Sequence, residues 1–96
     1  MTQLTIVVPA YNEAAVLERF HRRLAAVLDR LPLACTVLYV DDGSTDASWA
    51  VIATLAAHDA RVGAIRLSRN FGKEAALTAG LDQVREGAAV VIDADL

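Results

Sequence analysis

Two aspartates near the end of the chain form the most suggestive chemical pair in the sequence. Asp93 and Asp95 follow an apolar run, residues 88–92, whose composition is typical of a strand. Because side chains two residues apart on an extended segment point the same way, both carboxylates can face one cation. Oxygen ligands suit Mg²⁺ or Mn²⁺, which commonly share their coordination shell with substrate phosphates. The alternative is a strand end followed by a solvated turn.

A second acidic pair, Asp41 and Asp42, follows another apolar run at residues 36–40. Adjacent residues of a strand point to opposite faces, so we expect Asp42 to face a cleft and Asp41 to brace the turn. A carboxylate in a cleft can accept the imide N–H of a uracil or the N–H groups of a guanine. In the alternative interpretation, Asp42, Ser44 and Asp46 only turn the chain and cap the helix that follows.

One polar loop carries two cations in an otherwise acidic protein. Arg69 and Lys73 flank Gly72 in this loop, directly before a run with helical spacing. Such cations could hold phosphate charge beside a helix N-terminus, and the glycine would let backbone approach a ligand closely. The alternative is that both side chains are simply solvated.

Composition and missing motifs exclude several classes of function. The chain has 96 residues and a net charge of −3, which argues against a nucleic-acid binder that relies on phosphate attraction. Its glycines form neither a G-x-G-x-x-G fingerprint nor a Walker A loop. Cys35 is the lone cysteine and cannot form an internal disulfide, and His21 and His58 are interpreted as surface residues. No apolar run approaches a membrane span and no signal peptide is evident, so a cytoplasmic location is expected.

The apolar runs and helical spacings predict the elements that position these loops. Strands are predicted at 4–8, 36–40, 62–67 and 88–92, the first stopped by Pro9. Helices are predicted from a cap at Asn12 to near Pro32, then after residue 46, and over 74–85. This order predicts an α/β fold, a Rossmann-like parallel sheet with helices on both faces. Ligands bind beyond the carboxyl ends of such strands, where all the polar loops lie.

Four segments, taken in order and at their spacing, resemble glycosyltransferase family 2 over essentially the whole chain. They are Val8–Glu13 (VPAYNE), Asp41–Asp46 (DDGSTD), Leu67–Ala76 (LSRNFGKEAA) and Asp93–Leu96 (DADL). The third segment is the most specific. It is similar to that of bacterial polyprenyl-phosphate sugar transferases, the relatives of dolichyl-phosphate mannose synthase.

The resemblance implies a GT-A fold, of which these strands would be the nucleotide-binding half. It implies an inverting transfer of a hexose from a UDP- or GDP-linked donor to a polyprenyl phosphate at the cytoplasmic face of the membrane. The implied substrate-binding residues are Pro9, Tyr11, Glu13 and Asp42 around the nucleoside, with Arg69 and Lys73 near the diphosphate. Asp93 would contact the ribose or metal-bound phosphates, and Asp95 would hold Mg²⁺ or Mn²⁺, so both count as catalytic.

The resemblance also implies further chain after the Asp-x-Asp motif, including acceptor-binding elements and often membrane helices. Residues 1–96 are therefore expected to be a truncated, N-terminal donor-binding part with little or no turnover alone. Two other interpretations remain open at this point. One is a phospho-receiver switch domain, which Asp41, Asp42 and Asp93 loosely mimic; the other is an inert gene fragment.

Overall fold

The computed structural model describes residues 3–94, which form a parallel four-stranded sheet and three helices. The strands are β1 (Gln3–Ala10), β2 (Ala34–Asp41), β3 (Val62–Arg66) and β4 (Ala88–Val91). The helices are α1 (Ala14–Leu28), α2 (Ser48–His58) and α3 (Lys73–Leu81). The sheet order is β3-β2-β1-β4, and every neighbouring pair is parallel. The predicted α/β fold class is thus confirmed.

The sheet is covered by helices on both faces because its central strands are apolar on both. Ile6 and Val8 of β1 pack in one cluster with residues of α1 and α2, whereas Val7 packs with Ala76 of α3. Helix α3 lies close against the sheet at Gly80, where a Cβ atom would be 2.6 Å from Val7 Cγ1. This close packing fixes the start of α3 relative to the ends of β1 and β2.

Strand β1 is longer than predicted, because Pro9 does not end it. Pro9 is buried and pairs in register with Val40 of β2. Val7 directs its carbonyl toward the β4 side, where it accepts from the N–H of Ile92, and Pro9 faces the same side. Strand β4 has already ended opposite Val7, so the N–H that proline lacks has no ladder partner to lose. The expectation that Pro9 stops the strand was wrong.

Helices α1 and α3 are shorter than predicted. Helix α1 ends at Leu28 instead of near Pro32, and α3 ends at Leu81 instead of residue 85. Both continue into tight i→i−3 turns, in which Leu31 N–H donates to Leu28 and Val84 N–H donates to Leu81. The apolar spacing therefore extended beyond the regular helix. Among residues 3–94, no helix is both long and apolar enough to cross a membrane.

The interpretation of His21 as a surface residue was wrong, whereas His58 is exposed as expected. His21 is 6% exposed, with Nδ1 2.6 Å from Tyr39 Oη and Nε2 2.9 Å from Asp59 Oδ2. Burial of the Tyr39 ring holds the pKa of its hydroxyl above the usual range. The hydroxyl can thus donate to Nδ1 and leave the Nε2 proton for Asp59. Helical spacing placed His21 among charged neighbours and gave no sign of this network.

Stability is expected to fall in acid through Asp59, whose pKa is held well below its usual range chiefly by hydrogen bonds from Arg61. A carboxyl whose folded pKa is depressed stabilises the fold above its unfolded value, about 3.9. That contribution is lost as the pH falls below this value toward the folded pKa. Denaturant unfolding from pH 7 to 3 should therefore show a falling free energy of unfolding.

Asp59→Asn tests this expectation because it removes the charge but preserves the shape. The variant should be about 1–2 kcal/mol less stable at pH 7 and should depend less on pH than the wild type. Asp82→Asn, at an exposed position, is the control and should change stability by less than about 0.5 kcal/mol. An unchanged pH slope in Asp59→Asn would contradict the assignment.

Candidate functional site

The carboxyl ends of β1, β2 and β4 and the start of α3 surround one cavity of about 220 Å³. This is the edge at which parallel sheets bind ligands. The cavity is lined by Pro9, Ala10, Tyr11, Glu13, Asp42, Lys73, Ala76 and Asp93. Of the predicted site residues that the structure describes, all except Arg69 thus meet around a single space. Ala10 and Ala76 were not singled out, because alanine carries no chemical signal.

Asp41, the last residue of β2, and Asp42, the residue after it, have different surroundings, as the alternation of a strand predicts. Asp41 is fully buried, and its Oδ1 accepts from the backbone N–H of Ser44 at 3.2 Å, which braces the turn. Asp42 lines the cavity but is only 4% exposed. Its carboxylate accepts from the backbone N–H groups of Phe71 (2.9 Å) and Gly72 (3.1 Å). Asp42 therefore contacts the loop before α3 as well as the cavity.

Lys73 and Asp93 form an ion pair across the cavity. Lys73 Nζ lies 2.8 Å from Asp93 Oδ1, and the two side chains are 57% and 39% exposed. Lys73 is the first residue of α3, and Asp93 follows β4. One positive and one negative group, both open to solvent, thus lie at the N-terminus of a helix. Helix N-termini are common binding positions for phosphate. These are the groups to which a charged ligand has access.

The loop before α1 is fixed by the loop before α2. The side chain of Asn12 does not cap α1 as predicted: its Oδ1 accepts from the N–H of Thr45 at 2.8 Å, and its own N–H donates to Ser44 Oγ at 2.9 Å. Asn12 adopts a positive φ of 52°, which asparagine tolerates better than most residues. The capping expectation was wrong because the partners lie more than 30 residues away. Spacing within one helix cannot reveal such partners.

Ser48, the first residue of α2, also bonds to the loop before α1. It is fully buried, and its Oγ accepts from the backbone N–H of Glu13 at 2.8 Å. The Ser48 hydroxyl also stabilises the carboxylate of Asp46 and so lowers the pKa of that group. Asp46 Oδ2 in turn accepts from the N–H of Ala14 at 3.2 Å. The N–H groups of Asn12, Glu13 and Ala14 thus donate to the side chains of Ser44, Ser48 and Asp46 in that order. These bonds hold Tyr11 and Glu13 at the cavity.

Ser48→Ala is expected to destabilise the chain by about 1–2 kcal/mol, because it removes the acceptor of the part-buried Glu13 N–H and a donor to Asp46. Urea unfolding followed by circular dichroism measures the change. Ser68→Ala, at an exposed position, is the matched control and should stay within about 0.5 kcal/mol. Equal stability of the two variants would contradict the role given to Ser48.

One predicted site residue, Arg69, is not brought to the cavity. The guanidinium of Arg69 lies over the ring of Phe71, with Cζ 4.7 Å from the ring centroid, and does not line the cavity. Asp95 lies outside the described residues, so its predicted metal ligation stays a prediction. The charged residues predicted from the sequence that line the cavity are therefore Glu13, Asp42, Lys73 and Asp93.

The described residues fit a divalent cation that takes most of its coordinating oxygens from a bound phosphate ligand. Within residues 3–94, no group of three or more His, Cys, Asp or Glu side chains is placed to hold a metal ion. Mg²⁺, however, is commonly bound by one or two carboxylates together with substrate phosphates. Asp93 offers hard oxygen donors at the cavity, with one atom paired to Lys73. This donor chemistry suits Mg²⁺ or Mn²⁺ bound with a phosphate ligand.

Comparison with known proteins adds relatives of similar sequence. The chain is 45% identical over 94 residues to the uncharacterized glycosyltransferase YkcC of Bacillus subtilis. It is 40% identical over 95 residues to the undecaprenyl-phosphate 4-deoxy-4-formamido-L-arabinose transferase of Sodalis glossinidius. Each match covers 98% of this chain but 29% of the relative, so the chain spans less than a third of these relatives.

A solved structure and a family model agree with these relatives. The mannosyltransferase PcManGT of Pyrobaculum calidifontis, solved with GDP-Man and Mn²⁺, superposes with a TM-score of 0.83 at 25% identity. That match covers 96% of this chain and 27% of the mannosyltransferase. The family model described as "Glycosyl transferase family 2" matches residues 5–96. With this match and the sheet and loops described above, the chain belongs to glycosyl transferase family 2.

Proposed function

We propose that this chain binds the nucleotide-sugar donor of an inverting glycosyltransferase whose acceptor is a polyprenyl phosphate. The observation that carries the proposal is the convergence of Tyr11, Glu13, Asp42, Lys73 and Asp93 on one cavity at the carboxyl edge of a parallel sheet. The mannosyltransferase of similar fold was solved with GDP-Man and Mn²⁺, which supports a nucleotide-sugar donor. The relative named as an undecaprenyl-phosphate transferase supports the lipid acceptor.

The cavity has two chemically different ends. Pro9, Tyr11 and Glu13 follow β1 and offer an apolar and aromatic surface beside a carboxylate, which suits a nucleoside. Lys73 and Asp93 lie at the start of α3 and after β4, where a diphosphate would meet a cation and a helix N-terminus. We assign the nucleoside to the first end and the diphosphate to the second, with UDP and GDP as the candidate nucleotides.

The reaction needs little base catalysis, because an acceptor phosphate is already a good nucleophile. In the transfer, an acceptor phosphate oxygen bonds to the anomeric carbon as the bond to the donor diphosphate breaks, and the nucleoside diphosphate leaves. Lys73 is placed to stabilise negative charge on the leaving diphosphate, and Asp93, 2.8 Å from Lys73 Nζ, is placed to orient that ammonium group. Mg²⁺ or Mn²⁺ held by Asp93 and Asp95 would supply further neutralisation of the leaving group.

Residues 1–96 supply the donor-binding part of this activity in our proposal. The cavity of about 220 Å³ is smaller than the roughly 300–1,000 Å³ typical of complete ligand sites, in keeping with a partial site. Incubation with radiolabelled UDP-glucose or GDP-mannose, undecaprenyl phosphate and Mn²⁺ should yield no sustained lipid-linked product. Product formation over many turnovers would refute the assignment of a donor-binding role alone.

The match to glycosyl transferase family 2 argues against the phospho-receiver alternative. That alternative also left the segments Pro9–Glu13 and Arg69–Lys73 unexplained. Asp42, one of its acidic residues, is engaged by backbone N–H groups. The inert-fragment alternative is tested by circular dichroism and size-exclusion chromatography. A disordered or aggregated product would favour it over a donor-binding domain.

A further inference from the structure

Asp42 is held rigidly at the end of β2. Its backbone N–H donates to the carbonyl of Ala10, the last residue of β1, at 2.9 Å. The residue is 4% exposed. Its carboxylate therefore projects from a fixed point between two central strands toward the loop that precedes α3.

The Asp42 carboxylate accepts three hydrogen bonds from the segment Arg69–Gly72. This segment is called the 69–72 segment below. Oδ1 accepts from Phe71 N at 2.9 Å, and Oδ2 accepts from Gly72 N at 3.1 Å and from Asn70 Nδ2 at 3.4 Å. A carboxylate offers about four lone-pair positions, so little capacity is left for a nucleobase. Hydrogen bonds between a carboxylate and backbone N–H groups are also among the stronger ones.

Gly43, the residue after Asp42, also contacts the 69–72 segment. Gly43 lies so close to it that a Cβ atom would be 2.6 Å from Arg69 O and would overlap the adjoining backbone. The 69–72 segment is thus packed against the turn by Gly43 and bonded by Asp42. Its far end is Gly72, whose φ of 101° turns the chain into α3.

The segment leads directly to the charged end of the cavity. Lys73 follows Gly72, begins α3 and places its Nζ 2.8 Å from Asp93 Oδ1. Movement of the Gly72 N–H away from Asp42 would therefore move the backbone that carries Lys73. Asp42 also lies next to the nucleoside end, but there it bonds through its backbone N–H, which donates to Ala10 beside Tyr11 and which a change of side chain leaves in place.

We infer that Asp42 is a positioning residue for the diphosphate end of the site: through the 69–72 segment it fixes where Lys73 stands. This inference rests on the proposed donor-binding function and assigns Asp42 a role beyond contact with the nucleobase. It predicts that loss of the Asp42 carboxylate weakens the binding of a ligand that has phosphates but no base.

The test compares Asp42→Asn with the wild type in two kinds of measurement. Amide hydrogen exchange followed by NMR should be at least about tenfold faster at one or both of Phe71 and Gly72 in the variant, since asparagine offers one acceptor oxygen where the carboxylate offers two. Titration with UDP, GDP and pyrophosphate, each with Mg²⁺, should show affinity reduced by the same factor, about tenfold, for pyrophosphate and for the nucleotide that binds. When Lys73 has already been replaced by Met, Asp42→Asn should weaken pyrophosphate binding by less than about a further twofold.

Asn70→Ala is the matched control, because it removes only the 3.4 Å contact and leaves both backbone bonds. It should change exchange and affinity by less than about twofold. Weaker nucleotide binding by Asp42→Asn with unchanged pyrophosphate binding would overturn the inference and make Asp42 a nucleobase contact. Unchanged exchange at Phe71 and Gly72 would overturn it as well.

A measurement on the wild type keeps the test valid if Asp42→Asn does not fold. Pyrophosphate with Mg²⁺ should slow amide exchange at Phe71 and Gly72, whereas uridine and guanosine should leave it unchanged. The reverse pattern would overturn the inference. Absence of binding by any ligand, with slow exchange at both amides, would instead overturn the proposed donor site, so the two failures are distinguishable.

Discussion

Gly43→Ala should displace the loop before α3 and lower the free energy of unfolding by about 2–4 kcal/mol. Two effects add at this position. Gly43 has a φ of 68°, which L-residues other than asparagine and aspartate rarely adopt. A Cβ atom would also overlap the backbone of Arg69 and Asn70, which is tied in place by Asp42 and cannot yield as a flexible side chain would. Urea unfolding measures the loss.

Gly72→Ala is a matched control that separates the two effects. Gly72 also has a positive φ, 101°, but nothing lies within 4 Å of a Cβ built on it. This variant should lose only the backbone term, about 1–3 kcal/mol, because its φ of 101° and ψ of 157° form a pair that only glycine commonly adopts. If Gly43→Ala loses no more than the roughly 1–2 kcal/mol of a left-handed alanine, the close approach between the turn after β2 and the 69–72 segment does not constrain the fold as described.

Asp93→Asn should reduce metal-dependent nucleotide affinity at least about tenfold, which corresponds to about 1.4 kcal/mol. Asparagine keeps the shape of the side chain but lacks the charge that a hard cation prefers. It also removes the carboxylate from the pair with Lys73 Nζ at 2.8 Å. Calorimetric titration with and without Mn²⁺ measures the effect as the ratio of the two dissociation constants, which should approach one in the variant.

Asp82→Asn provides the control for Asp93→Asn, because it removes one negative charge at an exposed position after α3. Both variants change the net charge equally, so a general electrostatic effect would appear in both. We expect Asp82→Asn to bind as the wild type does. A full Mn²⁺ enhancement in Asp93→Asn would show that Asp93 takes no part in the diphosphate end of the site.

Much of the fold was predictable, because periodicity and loop chemistry agree along the chain. The apolar runs that end before Asp41 and Asp93 are β2 and β4 in the structure, and α3 begins beside the predicted loop at Lys73. Parallel strands place their carboxyl ends together, so polar loops distant in sequence were expected to meet. This geometric rule explains why Tyr11, Asp42 and Asp93 share a cavity.

The parts that could not be predicted depend on partners far away in sequence. Asn12 was expected to cap the adjacent helix but bonds to the loop at Thr45, and His21 was expected at the surface but contacts Tyr39 and Asp59. In each case the residue type allowed several partners, and only the packing of α1 against the sheet and α2 selected one. Arg69 differs, because its partner Phe71 is only two residues away, but residue type and spacing do not show that the guanidinium lies over the ring.

Calorimetric titration of the purified chain with UDP and GDP, each with and without Mn²⁺, tests the central claim most directly. We predict saturable binding of one of the two nucleotides, and Mn²⁺ should make this binding tighter. The metal-dependent binding should be lost in Asp95→Asn. The circular dichroism of the chain should show the expected helices and strands. Such a result would also identify the nucleobase. A folded chain that binds neither nucleotide in either condition would contradict the claim that the cavity at the carboxyl edge of the sheet is a donor site.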